Sequence, residues 1–128
     1  MHGVVLIEVL VAMLIFMFGV LGLVGLQASV TRAQTDSKVR ADASYLASDM
    51  VGRMWSDRTH ITSYSSANCS SLQFCKDWQT KVASSLPNGS TVVSVAVGAN
   101  NVTSVTISIS WTGPDGQTHQ YVTNTTIV

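Results

Sequence analysis

An unbroken run of apolar residues near the beginning of the chain is its clearest hydrophobic pattern. Residues 4–26 contain one charged side chain, Glu8, and sixteen of these 23 residues are Leu, Ile, Val or Phe. As an α-helix the run is about 34 Å long, enough to cross a hydrocarbon core of about 30 Å. On the membrane-insertion scale each Leu, Ile, Val or Phe contributes about −0.3 to −0.6 kcal/mol, whereas one acid costs about 2.5 to 3.5 kcal/mol at the membrane centre. The sixteen apolar residues therefore outweigh the cost of Glu8. We therefore predict a transmembrane helix over residues 4–26.

A cleaved signal peptide is the alternative interpretation of this run. The apolar region of a signal peptide is usually about 7 to 15 residues long, follows basic residues and ends in small residues before the cleavage site. The run here is longer, and no Lys or Arg stands before it in the sequence. The pattern favours a retained anchor.

The helical pattern continues beyond the apolar run, with no Pro or turn cluster before Asp57. Apolar residues recur at three- and four-residue steps and predict one buried stripe, formed by Ala43, Leu46, Ala47, Met50 and Met54. Charged residues at i, i+4 spacing follow the polar face: Arg32, Asp36, Arg40, and then Asp49, Arg53, Asp57. Each such pair stabilises a helix by about 0.2 to 0.5 kcal/mol. We interpret these residues as a solvated face.

The remainder of the chain predicts a loop, a short helix and a small sheet. Residues 59–71 are rich in Ser, Thr and Asn without periodicity, which indicates a surface loop. Four apolar residues at four-residue steps predict a second helix that ends at the Pro-Asn-Gly of residues 87–89: Phe74, Trp78, Val82 and Leu86. Alternating apolar residues predict three strands, within residues 93–97, 105–111 and 117–128, separated by turns at 98–101 and 113–116. The predicted fold class is α+β, with an antiparallel meander of three strands.

Charge and cysteine usage limit the classes of function. Seven Lys and Arg balance seven Asp and Glu, and charged residues make up 11% of the chain, so no electrostatic field is present to attract nucleic acid. We expect no nucleic-acid partner. Cys69 and Cys75 are the only cysteines. An even pair in a chain with an export-type anchor favours one disulfide in an oxidising compartment.

The sequence contains no recognisable catalytic motif. No nucleophile elbow, P-loop or Gly-rich phosphate fingerprint is present. A zinc site built from Cys69, Cys75, His60 and His119 lacks the paired ligand spacing of known zinc motifs. We therefore expect a protein that is not an enzyme and that binds no metal or cofactor.

Glu8 is the most unusual residue of the apolar run, because it is the only Glu in the protein and lies near the start of the predicted span. An ionisable residue inside a membrane is by default a candidate for function. The alternative is that Glu8 reaches the lipid headgroups and is merely tolerated there.

Residues 3–8, Gly-Val-Val-Leu-Ile-Glu, resemble the prepilin peptidase motif of type IV pilins and type II secretion pseudopilins. Residues 9–16 and 19–27 are similar to the anchors of the minor pilins of the PilV group. The resemblance covers about 25 residues strongly and extends loosely to Met54, whereas the C-terminal half carries no matching motif. It implies a pilin-like fold, in which a long helix packs across a small antiparallel sheet.

This resemblance also implies a processing and assembly scheme. Residues 1–3 are the residual leader, cleavage follows Gly3, Val4 is N-methylated and Glu8 acts in assembly. Residues 4–26 anchor the subunit in the bacterial inner membrane, residues 27–128 form a periplasmic head, and the subunit then joins the pilus. The implied function is that of a minor pilin in filament initiation or tip assembly. The implied partners are other minor and major pilins, the prepilin peptidase, inner-membrane lipid and the pilus assembly platform.

Some features differ from the family pattern, and two other functions stay open. Val4 stands where the family usually has Phe, and the leader lacks Lys or Arg. The basic residues after the run would by themselves place the head in the cytoplasm; the motif and the cysteine pair favour the periplasm. The same features suit a minor pseudopilin of type II secretion, which the neighbouring genes would distinguish. A single-span surface binding or adhesion protein is the third hypothesis.

Overall fold

The computed structural model describes residues 2–128 of the chain. Its elements are helix α1 (His2–Ser56), helix α2 (Gln73–Ser85) and strands β1 (Ser90–Val97), β2 (Thr103–Thr112) and β3 (Thr118–Ile127), with short 3₁₀ segments at Arg58–Tyr64, Cys69–Ser71 and Ala99–Asn101. The predicted α+β class, second helix and three-stranded sheet are confirmed. The chain divides into two compact units, one ending at Thr35 and the other comprising Asp36–Val128.

The first unit is the apolar part of α1. Among the described residues, α1 is one helix long and apolar enough to cross a membrane, with a mean hydropathy of 2.9 over its most apolar window and no residue of that window buried. The helix continues without interruption through Gly19, Gly22 and Gly25. A Cβ added at any of these glycines would meet nothing within 4 Å. Each of these glycines lowers helix stability by about 1 kcal/mol relative to Ala. No close contact within the described chain explains their presence.

The core of the second unit includes the predicted stripe of α1. All five residues of that stripe, from Ala43 to Met54, are 0–2% exposed. They share one cluster with Trp78 and Val82 of α2 and with the inner face of the sheet. The helical period of the sequence thus predicted the buried face of α1 correctly, because residues three and four apart lie on the same side of a helix.

Helix α2 ends where the sequence predicted. Leu86 donates its N–H to the carbonyl of Val82 at 3.0 Å, and Gly89 donates to the carbonyl of Leu86 at 3.0 Å. A Cβ at position 89 would lie 2.6 Å from the Val82 carbonyl oxygen. The chain can pass this close to the Val82 carbonyl and turn towards β1 because residue 89 is glycine and has no Cβ.

The sheet is an antiparallel meander in the order β1-β2-β3. Strand β2 lies in the middle and alternates strictly: its inward residues from Thr103 to Trp111 are buried, and the intervening residues are all Ser or Thr. In the register, Val93 of β1, Ile107 of β2 and Thr123 of β3 lie side by side. The period-2 pattern places one face on the core and leaves the other to solvent.

Two details differ from the sequence-based predictions. Residues 59–71 are not wholly irregular but contain two of the 3₁₀ segments, with Tyr64 and Cys69 buried. The i, i+4 pairing predicted along α1 is also wrong, because none of the predicted pairs lies within ion-pair distance among the described residues. Asp49 lies 3.3 Å from the ammonium of Lys81 on α2. The guanidinium of Arg53 instead lies 5.1 Å from the ring centroid of Phe74. Contacts with α2 replace local pairing along α1.

Candidate functional site

The residues implied in processing and assembly lie in the first turns of α1. Gly3, Val4 and Glu8 are helical and exposed. A Cβ added at Gly3 would meet nothing within 4 Å, so a larger residue is sterically compatible with the described chain there. Val4 and Glu8 are four residues apart and therefore lie on the same helix face, one turn from each other. The side chain of Glu8 makes no hydrogen bond to any other described residue, which leaves it free for a group outside the subunit.

Cys69 and Cys75 are joined by a disulfide, with their Cα atoms 5.3 Å apart. Both residues are buried, at 2% and 0% exposure, between the 3₁₀ segment Cys69–Ser71 and the start of α2. Closing a loop of about seven residues stabilises a fold by about 2 to 2.5 kcal/mol through loop entropy. Because both sulfur atoms are in this bond, neither is a thiolate that could bind zinc as in the hypothetical site considered above.

Asp57 is the polar centre of the segment that follows α1. One of its carboxylate oxygens accepts a hydrogen bond from the buried Tyr64 hydroxyl at 2.8 Å, and the other lies 2.8 Å from Nδ1 of His60. The hydrogen bonds from His60 and Tyr64 lower the pKa of Asp57 below its ordinary value of 3.8. Asp57 thereby holds the first 3₁₀ segment against the end of α1.

This arrangement predicts that the second unit is sensitive to acid. Because the folded-state pKa of Asp57 is lowered, its contribution to stability is present above pH 3.8 and is lost as the pH falls through the folded-state value. We expect Asp57→Asn to lower the melting temperature at pH 7 and the difference from wild type to shrink below pH 3.8. Thermal unfolding between pH 2 and pH 7 measures this, with the exposed α2 substitution Asp77→Asn as the control. A difference that does not vary with pH would contradict the assignment.

Contacts between α1 and α2 were not predicted from the sequence. Nε1 of Trp78 donates to the main-chain carbonyl of Leu46 at 2.9 Å within the core. Lys81, which pairs with Asp49, also lies 5.5 Å from the ring centroid of Tyr45. The apolar period indicated that Trp78 faces inward, but no sequence signal identified the carbonyl that accepts its N–H.

The solvent face of the sheet is an uncharged surface. The outward residues of β2 are Ser104, Thr106, Ser108, Ser110 and Thr112. Those of the flanking strands are Ser90, Val92, Ser94 and Ala96 in β1, and Thr118, Gln120, Val122, Asn124 and Thr126 in β3. Val92 and Val122 flank Ser108 in the register and are 56% and 47% exposed. The polarity of this face therefore comes from hydroxyl and amide groups, with one exposed valine on each side of Ser108 in its middle.

The two edges of the sheet differ in their hydrogen bonding. Val93 of β1 accepts the main-chain N–H of Ser66 at 2.9 Å, and its own N–H donates to the Ser66 hydroxyl at 2.7 Å. The middle of the β1 edge is therefore closed by the preceding loop. Among residues 2–128, no hydrogen bond reaches the outward main-chain groups of Thr118–Ile127, and Arg58 donates only to the carbonyl of Val128, directly after the strand. The free β3 edge was not predicted from the sequence, since alternation identifies strands but not their neighbours.

Comparison of the chain with protein-family models, with curated proteins and with solved structures found no match.

Proposed function

We propose that this chain is a minor pilin subunit of a type IV pilus and contributes to filament initiation or tip assembly through contacts with other subunits. The supporting observation is the combination of one long apolar helix with Gly3, Val4 and Glu8 in its first turns. The helix continues into a small α+β unit that contains one disulfide, Cys69–Cys75. In this proposal the protein is not an enzyme, and its action consists of binding other subunits.

The spacing of Val4 and Glu8 supplies the assembly chemistry. Cleavage after Gly3 creates a positively charged amino group at Val4, and N-methylation preserves that charge. Glu8, exposed and one helical turn away, is available to the amino group of its own or a neighbouring subunit. A carboxylate in lipid is costly when unpaired. Pairing with such a group therefore favours association of subunits inside the membrane.

In this proposal the two units of the chain lie in different compartments. The apolar part of α1 lies in the inner-membrane lipid, where the prepilin peptidase acts on the Gly3–Val4 bond. The second unit lies in the periplasm, an oxidising compartment in which a disulfide is stable. Its partners are other minor and major pilins, and the assembly platform moves the subunit into the filament.

Processing at Gly3 provides the test of this function. We expect Gly3→Leu to insert into the membrane but to keep its leader, because a bulky side chain obstructs access of the peptidase to the backbone. The change is sterically compatible with the described chain, since a Cβ at Gly3 meets nothing within 4 Å. Mass spectrometry of the subunit from cells that contain the peptidase measures the mature N-terminus.

Gly25→Leu is the matched control, because a Cβ at Gly25 also meets no atom within 4 Å. The control should be cleaved and carry a methylated Val4. Equal processing of both variants would contradict the assignment of Gly3, and a wild-type subunit that always retains Met1–Gly3 would contradict membership of the processed pilin class.

A further inference from the structure

The register of the sheet determines which main-chain groups of β3 point away from β2. Both polar main-chain groups of Val93 bond to Ser66, so Val93 and Ile107 form a non-hydrogen-bonded pair between β1 and β2. The main-chain groups of Ile107 then point to β3, which makes Ile107 and Thr123 a hydrogen-bonded pair. The alternate residues of β3 must therefore direct their N–H and C=O groups outward. These are Thr118, Gln120, Val122, Asn124 and Thr126.

This outward edge has none of the features that prevent strand addition. Exposed edges are usually protected by Pro, Lys, bulges or inward-pointing charges. Strand β3 contains no Pro, Lys, Arg, Asp or Glu, and the residues with outward main-chain groups are all exposed. Five N–H and five C=O groups thus form an unbroken hydrogen-bonding ladder, whereas the β1 edge is closed at Val93.

We propose that the outer edge of β3 is a strand-pairing site for an extended, uncharged segment of a partner subunit. The alternation of donors and acceptors along the edge is the recognition pattern of another β-strand. None of the residues from Thr118 to Thr126 is acidic or basic apart from His119, and the Arg58 guanidinium bonds to the Val128 carbonyl beyond the strand end. A charged partner strand would therefore find no counter-ion along the middle of the edge. The exposed Val122 lies between Gln120 and Asn124, which favours a partner segment with one apolar residue between polar ones on that face.

A second copy of this chain is a poorer occupant. Addition of its β1 to the β3 edge is obstructed by Ser66, which already bonds to Val93. Antiparallel pairing of two β3 strands requires a two-fold axis perpendicular to the sheet. Because residues 36–56 of α1 pack on the sheet, that axis would make the chain enter the two heads from opposite ends. Recovery of a second copy of this chain is therefore kept as a separate outcome of the test below. The choice of a pilin-type partner rests on the function proposed above.

The test compares two single proline substitutions, at the neighbouring positions 122 and 123, in the full chain. Val122→Pro removes an outward N–H and leaves the β2 ladder intact, so we expect it to fold on an edge strand. Once a partner strand is added, position 122 becomes internal, where Pro is not tolerated. Val122→Thr changes the side chain but keeps the N–H. Thr123→Pro removes an N–H that bonds to β2 and should lower the melting temperature.

Recovery of partner pilins with the tagged, membrane-extracted subunit is the measurement, together with hydrogen exchange of the β3 amides. With wild type and Val122→Thr we expect recovery of partners, and slower exchange of the amides at positions 120, 122 and 124 in the complex than in the free subunit. With folded Val122→Pro we expect at least tenfold lower recovery.

Equal recovery with Val122→Pro would overturn the β3 site while leaving the proposed function intact. Fast exchange of those three amides in the wild-type complex would do the same. Recovery of only a second copy of this chain, with the amides protected, would overturn the choice of partner. Absence of any partner with wild type would overturn both proposals.

Discussion

Glu8→Gln is expected to insert into the membrane and to be processed normally, yet to be recovered with other pilins at least tenfold less than wild type. Gln keeps the size and hydrogen-bonding capacity of Glu but removes the charge. Insertion should improve slightly, since the only acid of the apolar run is gone. The loss therefore concerns association between subunits.

The size of this effect follows from the charge pair that the proposal requires. At about 4 Å and an effective dielectric constant of about 20, attraction between the Val4 ammonium and the Glu8 carboxylate is about 4 kcal/mol before the cost of desolvation. A net contribution of about 1.4 kcal/mol changes an association constant tenfold. Desolvation can cancel much of this attraction, but Glu8→Gln leaves the Val4 ammonium without a partner in lipid, and removing one member of a buried ion pair usually costs about 3 to 5 kcal/mol.

Co-purification at equal membrane abundance measures the effect of Glu8→Gln. Glu8→Asp is the charge-retaining control, and we expect it to recover more partner than Glu8→Gln because the carboxylate is kept, although on a shorter side chain. Equal recovery of wild type and Glu8→Gln would show that Glu8 is a tolerated interfacial acid and would remove the assembly mechanism.

Trp78→Ala is expected to lower the free energy of unfolding of the head by about 3 to 5 kcal/mol, the usual cost of deleting a large buried aromatic side chain. Trp78 is 2% exposed and belongs to the core that α1, α2 and the sheet share. Its N–H also satisfies the carbonyl of Leu46. The substitution removes both the packing of the ring and this hydrogen bond between the two helices.

Two further variants separate these contributions. Trp78→Phe keeps an aromatic ring but removes the N–H donor, so we expect a loss of about 1 to 3 kcal/mol. Trp55→Ala is the exposed control, since Trp55 is 44% exposed and should change stability by less than about 1 kcal/mol. Urea unfolding of the full chain in detergent, followed by the fluorescence of the two tryptophans that each variant retains, measures all three. Equal effects of Trp78→Ala and Trp55→Ala would contradict the role of Trp78.

Periodic patterns were sufficient to predict both helices, the three strands and most of their buried positions, although Val97, predicted on the inward face of β1, is 62% exposed. Ala43, Met50 and Met54 followed from the helical period, and Ile107 and Ile109 from the period of a strand. These predictions succeeded because the geometry of a helix or strand places residues at fixed intervals on one side. The apolar composition of residues 4–26 is likewise local, so predicting a helix long and apolar enough to cross a membrane needed no knowledge of the fold.

Contacts between distant residues could not be predicted in this way. Asp49 pairs with Lys81, 32 residues further along the chain, although Arg53 is at the favourable local spacing. The pairing of Ser66 with Val93 closes one sheet edge, and the order of the strands leaves β3 at the other. Such partners meet only after α2 and the sheet pack on α1, because periodicity specifies the face of an element and contains no information about its neighbour.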